Sequence, residues 1–565
     1  MSIHDDARAA SEAVYDAHVS NLQTATTRAV TERDRAVADL ATVRAQLGDA
    51  NTAAAGLRAQ IAAKDAEIAV LKRRIADLEA PAPTPTPTPT PTPQPTGNLW
   101  FATKTPAKRK YLYAHYVPWN PIIITNEPMA SDYYARVFLN PAGENGKYAD
   151  NGAYIRDAPY HEAPYAGSGK EASLETRRLA YRFDIEHAIL SGMDGFFVDL
   201  VQGPSTANSH WKNIQPLIDE VSENYADRIK VAPMIDANGS LETDTPANIV
   251  THLNRFLDRP SAARLPDGRY IVGVFKAEGA ANSVWAAIDA EFARTGKNIY
   301  WVGAFNNLSG TRATSSNTNP YSTFDVLGPW SAGADPEVVK NASGENNAIR
   351  GRGQTPLFPL LPQGVRAYSS WYDEARGLGC LRTNWDTIIR EDAEWVQLVT
   401  WNDFAEGSQA MATRKQGTAV GAYNRYRADE WRTGSKPPIV RDTAILSHRN
   451  QMLGATIPAG QTPMTQNTSR SNRSTPRDEV EVVTFLTTPR RVTVTVGGQA
   501  TSYDAPAGEY AQYVTARPGR VRVQFGAIDY TSPITIRSAS GNEDREWVHA
   551  WVHDTITVSD PTPAQ

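Results

Sequence analysis

The sequence predicts an α/β fold: a (β/α)8 TIM-like barrel with a C-terminal β-sandwich, preceded by an N-terminal coiled-coil helix and a Pro-Thr linker. Three observations lead there. Eight apolar strands alternate with amphipathic helices between residues 111 and 401, and a tail patterned with period two follows. A proline-spaced run separates both from a charged, heptad-patterned segment at the start of the chain. The implied boundaries are 1–80 for the helix, 81–97 for the stalk, 98–437 for the barrel and 438–565 for the sandwich. At 565 residues the chain has room for a barrel of typically ~250 residues and more besides.

The first segment is rich in Ala, Arg and acids. From Leu57 a frame of alternating four- and three-residue steps runs through Ile61, Lys64, Ile68, Leu71, Ile75 and Leu78. Ile at a and Leu at d is a coiled-coil seam, and the one polar seam residue, Lys64, can set register. Flanking pairs Glu67 with Lys72 and Arg74 with Glu79 have opposite signs, as parallel strands require. A solitary charged helix would bury nothing and be marginal in water, so self-association as a dimer or trimer is expected. The run PAPTPTPTPTPTPQPT, 81–96, forbids helix and sheet and implies a polyproline II spacer at ~3.1 Å per residue.

The barrel strands are expected at 111–117, 195–200, 229–236, 269–276, 298–305, 324–330, 365–370 and 395–401. Helices fit between them at 174–190, 211–225, 247–257, 283–295 and 387–394. A doubly wound sheet is the alternative; eight successive units with polar residues at the strand ends favour closure. After residue 438, stretches such as RRVTVTVGG and GRVRVQF alternate in period two between Gly, Pro and Asp turns, as in a sandwich.

Composition narrows the function. A net charge of −5 gives no reason to expect nucleic acid as partner. No run approaches the ~18 apolar residues of a membrane span, and the start lacks a signal-peptide core. Synthesis and folding in the cytoplasm are therefore expected. The single cysteine, Cys380, precludes an internal disulfide and reads as a small buried hydrophobe. Thirteen Trp and 23 Tyr are a supply of flat faces for sugar rings, though cores use them equally.

In such a barrel the C-terminal strand ends converge on one cleft. They carry His115 and Tyr116, Asp199, Asp236, Lys276 and Glu278, Asn306 and Asn307, Trp330, Trp371 and Tyr372, then Trp401, Asn402, Asp403 and Glu406. Acids and aromatics without a cluster of metal ligands suit a neutral polyhydroxylated polymer and call for neither metal nor cofactor. The loop starting at Asp236 lacks the Gly and closing Glu of a calcium loop. Asp403 and Glu406, three residues apart after an apolar strand, are the minimum for glycoside hydrolysis, one carboxyl neutral and one ionised. The alternative is that Asp403 caps a helix and Glu406 is merely solvated.

The stretch SWYDEARGLGCLRTNWDTIIREDAEWVQLVTWNDFAEGSQ, ending at Gln409, resembles the barrel signature of glycoside hydrolase family 71, the α-1,3-glucanases or mutanases. YLYAHYVPWNP, FDIEHAILSGMDGFFVDL and RYIVGVFKAEG are similar to its first, second and fourth strand regions, and the β-rich tail to its sandwich. The resemblance spans about residues 110–540. It implies Asp403 and Glu406 as the catalytic pair, Asp199 near a further acidic position, and inversion. Phe-Ala stands between the two acids where the family prefers Tyr-Gly, and the EGS ending is also similar to family 99 endo-α-mannosidases. The coiled coil, stalk and glycan-active barrel together resemble a minor tail or fibre protein of a phage infecting actinobacteria. That layout implies a virion location, with a cytoplasmic one as the alternative, and other tail proteins as partners. A non-cleaving adsorption protein and a structural spacer are the competing readings.

Overall fold

The computed structural model describes residues 8, 10–40, 43–44, 46, 99–103, 109–118, 124–125, 133–160, 163–164, 174–202, 209–239, 244–309, 319–330, 333–337, 343–539, 541–556 and 558–559. The heptad frame at 57–78 and the Pro-Thr run lie outside them. The chain divides into two compact units, Met1–Thr92 and Pro93–Gln565. In the first, residues 10–40 are helical, with Tyr15, Leu22 and Leu40 more than half exposed.

The second unit contains a closed barrel of eight parallel strands. In chain order these are β1 Tyr111–Tyr116, β2 Gly195–Leu200, β3 Lys230–Asp236, β4 Tyr270–Phe275, β5 Ile299–Phe305, β6 Val326–Pro329, β7 Thr355–Leu360 and β8 Trp395–Leu398. Each pairs with its sequence neighbours, and β8 closes on β1 through Tyr111 opposite Trp395. Helices α1 Leu174–Leu190, α2 Ser209–Asn224, α3 Pro246–Leu257, α4 Asn282–Arg294, α5 Ser343–Gly351, α6 Gly379–Arg390 and α7 Ala419–Thr433 accompany the strands.

The interior is packed solid. Tyr111, Tyr113, Phe197, Met234, Tyr300, Val302, Leu357 and Trp395 form one buried cluster, with Tyr111 stacked on Trp395 at 4.3 Å. Alternate strand residues face outward, so Leu112, Phe196, Val198, Val272 and Val396 belong instead to the larger core. The barrel is therefore a plug whose chemistry can sit only at its ends.

One strand was expected in the wrong place. The seventh is Thr355–Leu360, not 365–370. TPLFPL carries Pro356 and Pro359, which read as turn punctuation in a single sequence. Residues 364–366 instead pair antiparallel with Trp371–Asp373, which adds Thr465–Gln466 on its other side. Helix α6 also begins eight residues earlier than the expected 387, and α5 and α7 were not anticipated.

The tail forms two four-stranded sheets. One contains β9 Thr443–Arg449, β10 Glu479–Leu486, β13 Gly508–Thr515 and β16 Trp547–Trp551. The other contains β11 Arg490–Val496, β12 Gln499–Ala505, β14 Val521–Phe525 and β15 Ile528–Thr531. Ala444, Leu446, Val482, Val494 and Val523 fill the space between them. The opposite face of the first sheet is also buried: Ile445, Val483, Phe485 and Trp551 join the barrel's outer core. Phe485 lies 4.6 Å from Trp100 and 5.2 Å from Tyr426 of α7. All seven residues of β9 are buried. Barrel and sandwich thus share one core, so the chain boundary near 438 is not a boundary in packing.

Candidate active site

The loop after β8 is held before it is charged. Thr400 N donates to Ser408 O (3.0 Å), and Asp403 N donates to Thr400 Oγ1 (2.8 Å), closing a tight turn. Asn402 clamps that turn to the end of β1. Its Oδ1 accepts from Val117 N (2.7 Å) and its Nδ2 donates to Val117 O (3.0 Å). Asp403 Oδ1 accepts from Ala405 N (3.0 Å) and Glu406 N (3.1 Å), which orients one carboxyl from its own loop.

Glu406 points into a cleft of about 290 Å3 whose walls include Asn306, Trp330, Arg366, Trp371, Asp373 and Arg470. Its Oε2 is 2.5 Å from Arg366 Nη2, and its side chain is 26% exposed. Burial, then the charge of Asp403, pushes the Glu406 carboxyl up to about 7, with Arg366 opposing. Asp403 is raised too, chiefly by burial, against the pull of the Glu406 amide, Arg366 and His115. Two acids driven above their ordinary range by burial, Glu406 also by the charge of Asp403, are suited to exchanging one proton with a substrate.

Beneath them, His115 Nε2 donates to Asp199 Oδ2 (2.9 Å), both side chains being 2% exposed. The His115 ring meets Trp330 edge-on at 4.6 Å. His210 at the start of α2 is held below its ordinary pKa by burial, with Asp199 pulling the other way. Asp199 is thus engaged with histidines under the cleft.

Four sequence-predicted residues face elsewhere. Tyr116 points outward from β1, its hydroxyl donating to Asp184 Oδ2 (3.4 Å) in the layer between strands and helices. Trp401 is fully buried against Phe196 and His187. Tyr372 lies under the cleft with Val365, Ala367 and Met464. Asn402 spends both ends of its amide on Val117, so it positions the loop and does not face the cleft. Asp236 accepts from Asn238 N (2.7 Å) within its own turn. Glu278 accepts from Asn307 N (2.9 Å), joining the ends of β4 and β5. Asn306, Trp330, Trp371 and Glu406 are the predicted residues that share the cleft.

Residues 172–542 match the model of Glycosyl hydrolase family 71. The chain belongs to this family. A curated relative, the ascus wall endo-1,3-alpha-glucanase of Schizosaccharomyces pombe, is 23% identical over 254 residues, which are 40% of this chain. The chain spans about half, 52%, of that relative's length. Similar solved structures include the family 99 endo-alpha-mannosidase of Bacteroides thetaiotaomicron (13% identity, TM-score 0.42, covering 57% of this chain and 97% of that one). Another is a family 26 endo-beta-1,4-mannanase of Cellulomonas fimi (14% identity, TM-score 0.29, 63% and 89%).

The family match takes in β2 to β8 and the loop that carries Asp403 and Glu406; β1 with His115 precedes it. Sequence reading missed Arg366, Asp373 and Arg470, all in the cleft wall. Arg366 and Asp373 sit on the short strands beside the loop, and Arg470 comes from the sandwich. Gly407, next to Glu406, was also missed. Its φ is +55°, and a Cβ there would stand 2.6 Å from Val365 O and 2.9 Å from Glu546 Oε1. Gly407→Ala should therefore cost more than about 1 kcal/mol of stability and displace Glu406. Denaturant unfolding together with kcat checks this; an unchanged kcat would show that the turn does not position the acid.

Proposed function

We propose that this chain hydrolyses an α-1,3-linked glucan of a cell envelope, with Asp403 and Glu406 as the catalytic pair. The observation that carries the reading is Glu406 opening from the end of β8 into a cleft walled by Trp330 and Trp371, with the charge of Asp403 acting on it. Membership of family 71 and similarity to a protein named as an endo-1,3-alpha-glucanase support the choice of polymer. Glu406, held partly protonated near neutral pH, protonates the departing glycosidic oxygen. Asp403, oriented by two backbone amides, activates a water on the other face of the ring, and the anomeric centre inverts.

The proposal extends to architecture. The N-terminal helix self-associates as a dimer or trimer, and the Pro-Thr stalk carries the enzyme outward on a phage tail beside other virion proteins. Support comes from the heptad frame and from the exposure of Tyr15, Leu22 and Leu40 on the described part of the helix.

The test is reducing-sugar release from α-1,3-glucan, α-mannan and host envelope polysaccharide, with proton NMR reading the first anomer formed. Release from α-1,3-glucan as the β-anomer is expected. Release from α-mannan alone would move the chain to another substrate. Binding without release from any of the three would leave a glycan-adsorbing protein.

A further inference from the structure

The cleft holds one contact that a sugar and the protein cannot both have. Arg366 lies with its guanidinium 5.0 Å over the ring of Trp371 while it pairs with Glu406 at 2.5 Å. It is placed there by backbone structure. Arg366 and Trp371 are register partners across the short antiparallel pair, and Val365 N donates to Glu406 O at 2.8 Å. Trp330, the other tryptophan of the cleft, is engaged by Phe275 at 4.4 Å and by His115. Trp371 is only partly buried and lines the same cleft as Glu406. It is the platform on which a ring would stack next to the acid, and a cation already covers it.

We infer that Arg366 is a substrate-displaced counter-ion: it holds Glu406 in the free enzyme and yields the face of Trp371 to the sugar ring that binds there. The inference rests on the hydrolase reading. Binding then does two things at once. It exchanges a guanidinium for a ring on Trp371, and it strips Glu406 of its counter-charge as the glycosidic oxygen arrives. A carboxyl that loses an adjacent guanidinium gains proton affinity. The acid is therefore kept ionisable in the free enzyme and made a better proton carrier by its own substrate. Arg366 and Glu406 are both about one-quarter to one-third exposed, so the pair is of the partly solvated kind that a ligand can open.

The other charged or titratable groups around Glu406 are fixed by different partners. Asp403 is bonded to its own loop amides, and Tyr154, within electrostatic reach of both acids, packs its ring against Tyr148 and Tyr368. Asp373 and Arg470 share the cleft wall and interact with each other. Glu546, behind Gly407, is engaged by Lys415. Among the described residues, Arg366 is the cation in direct contact with Glu406. Arg366 is accordingly a positioning residue acting through Glu406.

The experiment is the pH dependence of kcat and of kcat/KM for the full chain, Arg366→Met and Arg366→Lys on α-1,3-glucan oligosaccharide. The kcat/KM profile reports the free enzyme and kcat the bound complex. In the parent, the limb controlled by Glu406 should stand about one pH unit higher in kcat than in kcat/KM. In Arg366→Met the kcat/KM limb should rise to meet the kcat limb, the kcat limb staying where it was, and KM should fall several-fold. Arg366→Lys should restore the separation. Both limbs moving together in Arg366→Met would mean the pair survives binding, and neither moving would mean it does not govern Glu406; either overturns the inference. If the parent releases no sugar, the hydrolase reading falls separately. The inference is then read by calorimetry of nigerotetraose binding at pH 7 in two buffers of different ionisation enthalpy. Proton uptake by the parent and less by Arg366→Met supports it; equal uptake, or no binding, overturns it.

Discussion

Glu406→Gln should lower kcat by about a thousandfold, within the range that a positioned general acid supplies, while KM changes by less than a factor of about three. Glutamine keeps an oxygen for Arg366 and the length of the side chain but has no proton to give. Asp403→Asn should fall as far, because the amide oxygen can still accept from Ala405 N and Glu406 N, so the loop holds while the base is lost. Folding is separable from chemistry here. Burial and Asp403 raise the Glu406 carboxyl to about 7, so the folded state prefers the protonated form. A carboxyl with a raised pKa contributes stability below its unfolded pKa and loses it as pH rises through the folded value. Glu406→Gln, neutral throughout, should therefore be no less stable than the parent at pH 5 and more stable above pH 7. If kcat survives in either variant, the acid pair is elsewhere. If both are inactive but unfolded, the comparison must move to conservative substitutions of the same positions.

What was legible in the sequence followed its periodicities. The barrel strands other than the seventh could be read because each is an apolar run closed by turn residues, and β8 ends in polar residues where its sheet ends. The same period of two separates His115, inward with Tyr111 and Tyr113, from Tyr116, outward toward Asp184; taking both as cleft residues ignored it. Trp401 is separated from the cleft in another way, because the chain turns there and packs the ring on Phe196. The seventh strand was hidden by Pro356 and Pro359, which a closed, buried barrel tolerates and local pattern does not. Trp371 was placed in the cleft although its strand was misassigned, since the short pair at 364–373 reaches the same rim. Arg366, Arg470 and Asp373 had no signal at all. A charged residue in a loop reads as solvated until a tertiary partner is known, and these partners lie between 40 and 97 residues away along the chain.

Lys415 is the extreme case of that blindness and the source of the largest expected loss of stability. It is fully buried, and its Nζ donates to Asp544 Oδ2 (2.5 Å) and Glu546 Oε2 (2.9 Å) of the sandwich segment. Its backbone joins the same seam: Lys415 N donates to Asp157 Oδ1 (3.2 Å), and Lys415 O accepts from His549 N (3.0 Å). Trp547 N then donates to Gln363 Oε1 (3.0 Å), and Gln363 lines the cleft. One ammonium thus ties the segment that follows the Asp403–Glu406 loop to the residues just before the C-terminal strand β16. Lys415→Met keeps the volume but leaves Asp544 and Glu546 without the cation they bond, with Arg156 as the remaining cation near them, and removing one partner of such a pair costs roughly 3–5 kcal/mol. The pH dependence fixes the cause. Burial pushes Asp544 up, but Lys415 overrides it and holds the carboxyl below its ordinary range, so its contribution exists above the unfolded pKa and is lost as pH falls. Glu546 is raised to about 7 by burial despite Lys415, so it can already take a proton near neutrality. In Lys415→Met both acids can protonate instead of remaining uncompensated, so the penalty should be large at pH 8 and shrink steadily toward pH 5. Urea unfolding of parent and variant across that range measures it. Replacing Asp544 and Glu546 by Leu in the same chain should recover part of the loss at pH 8. A deficit that is constant with pH would mean that Lys415 packs the seam and does not neutralise it.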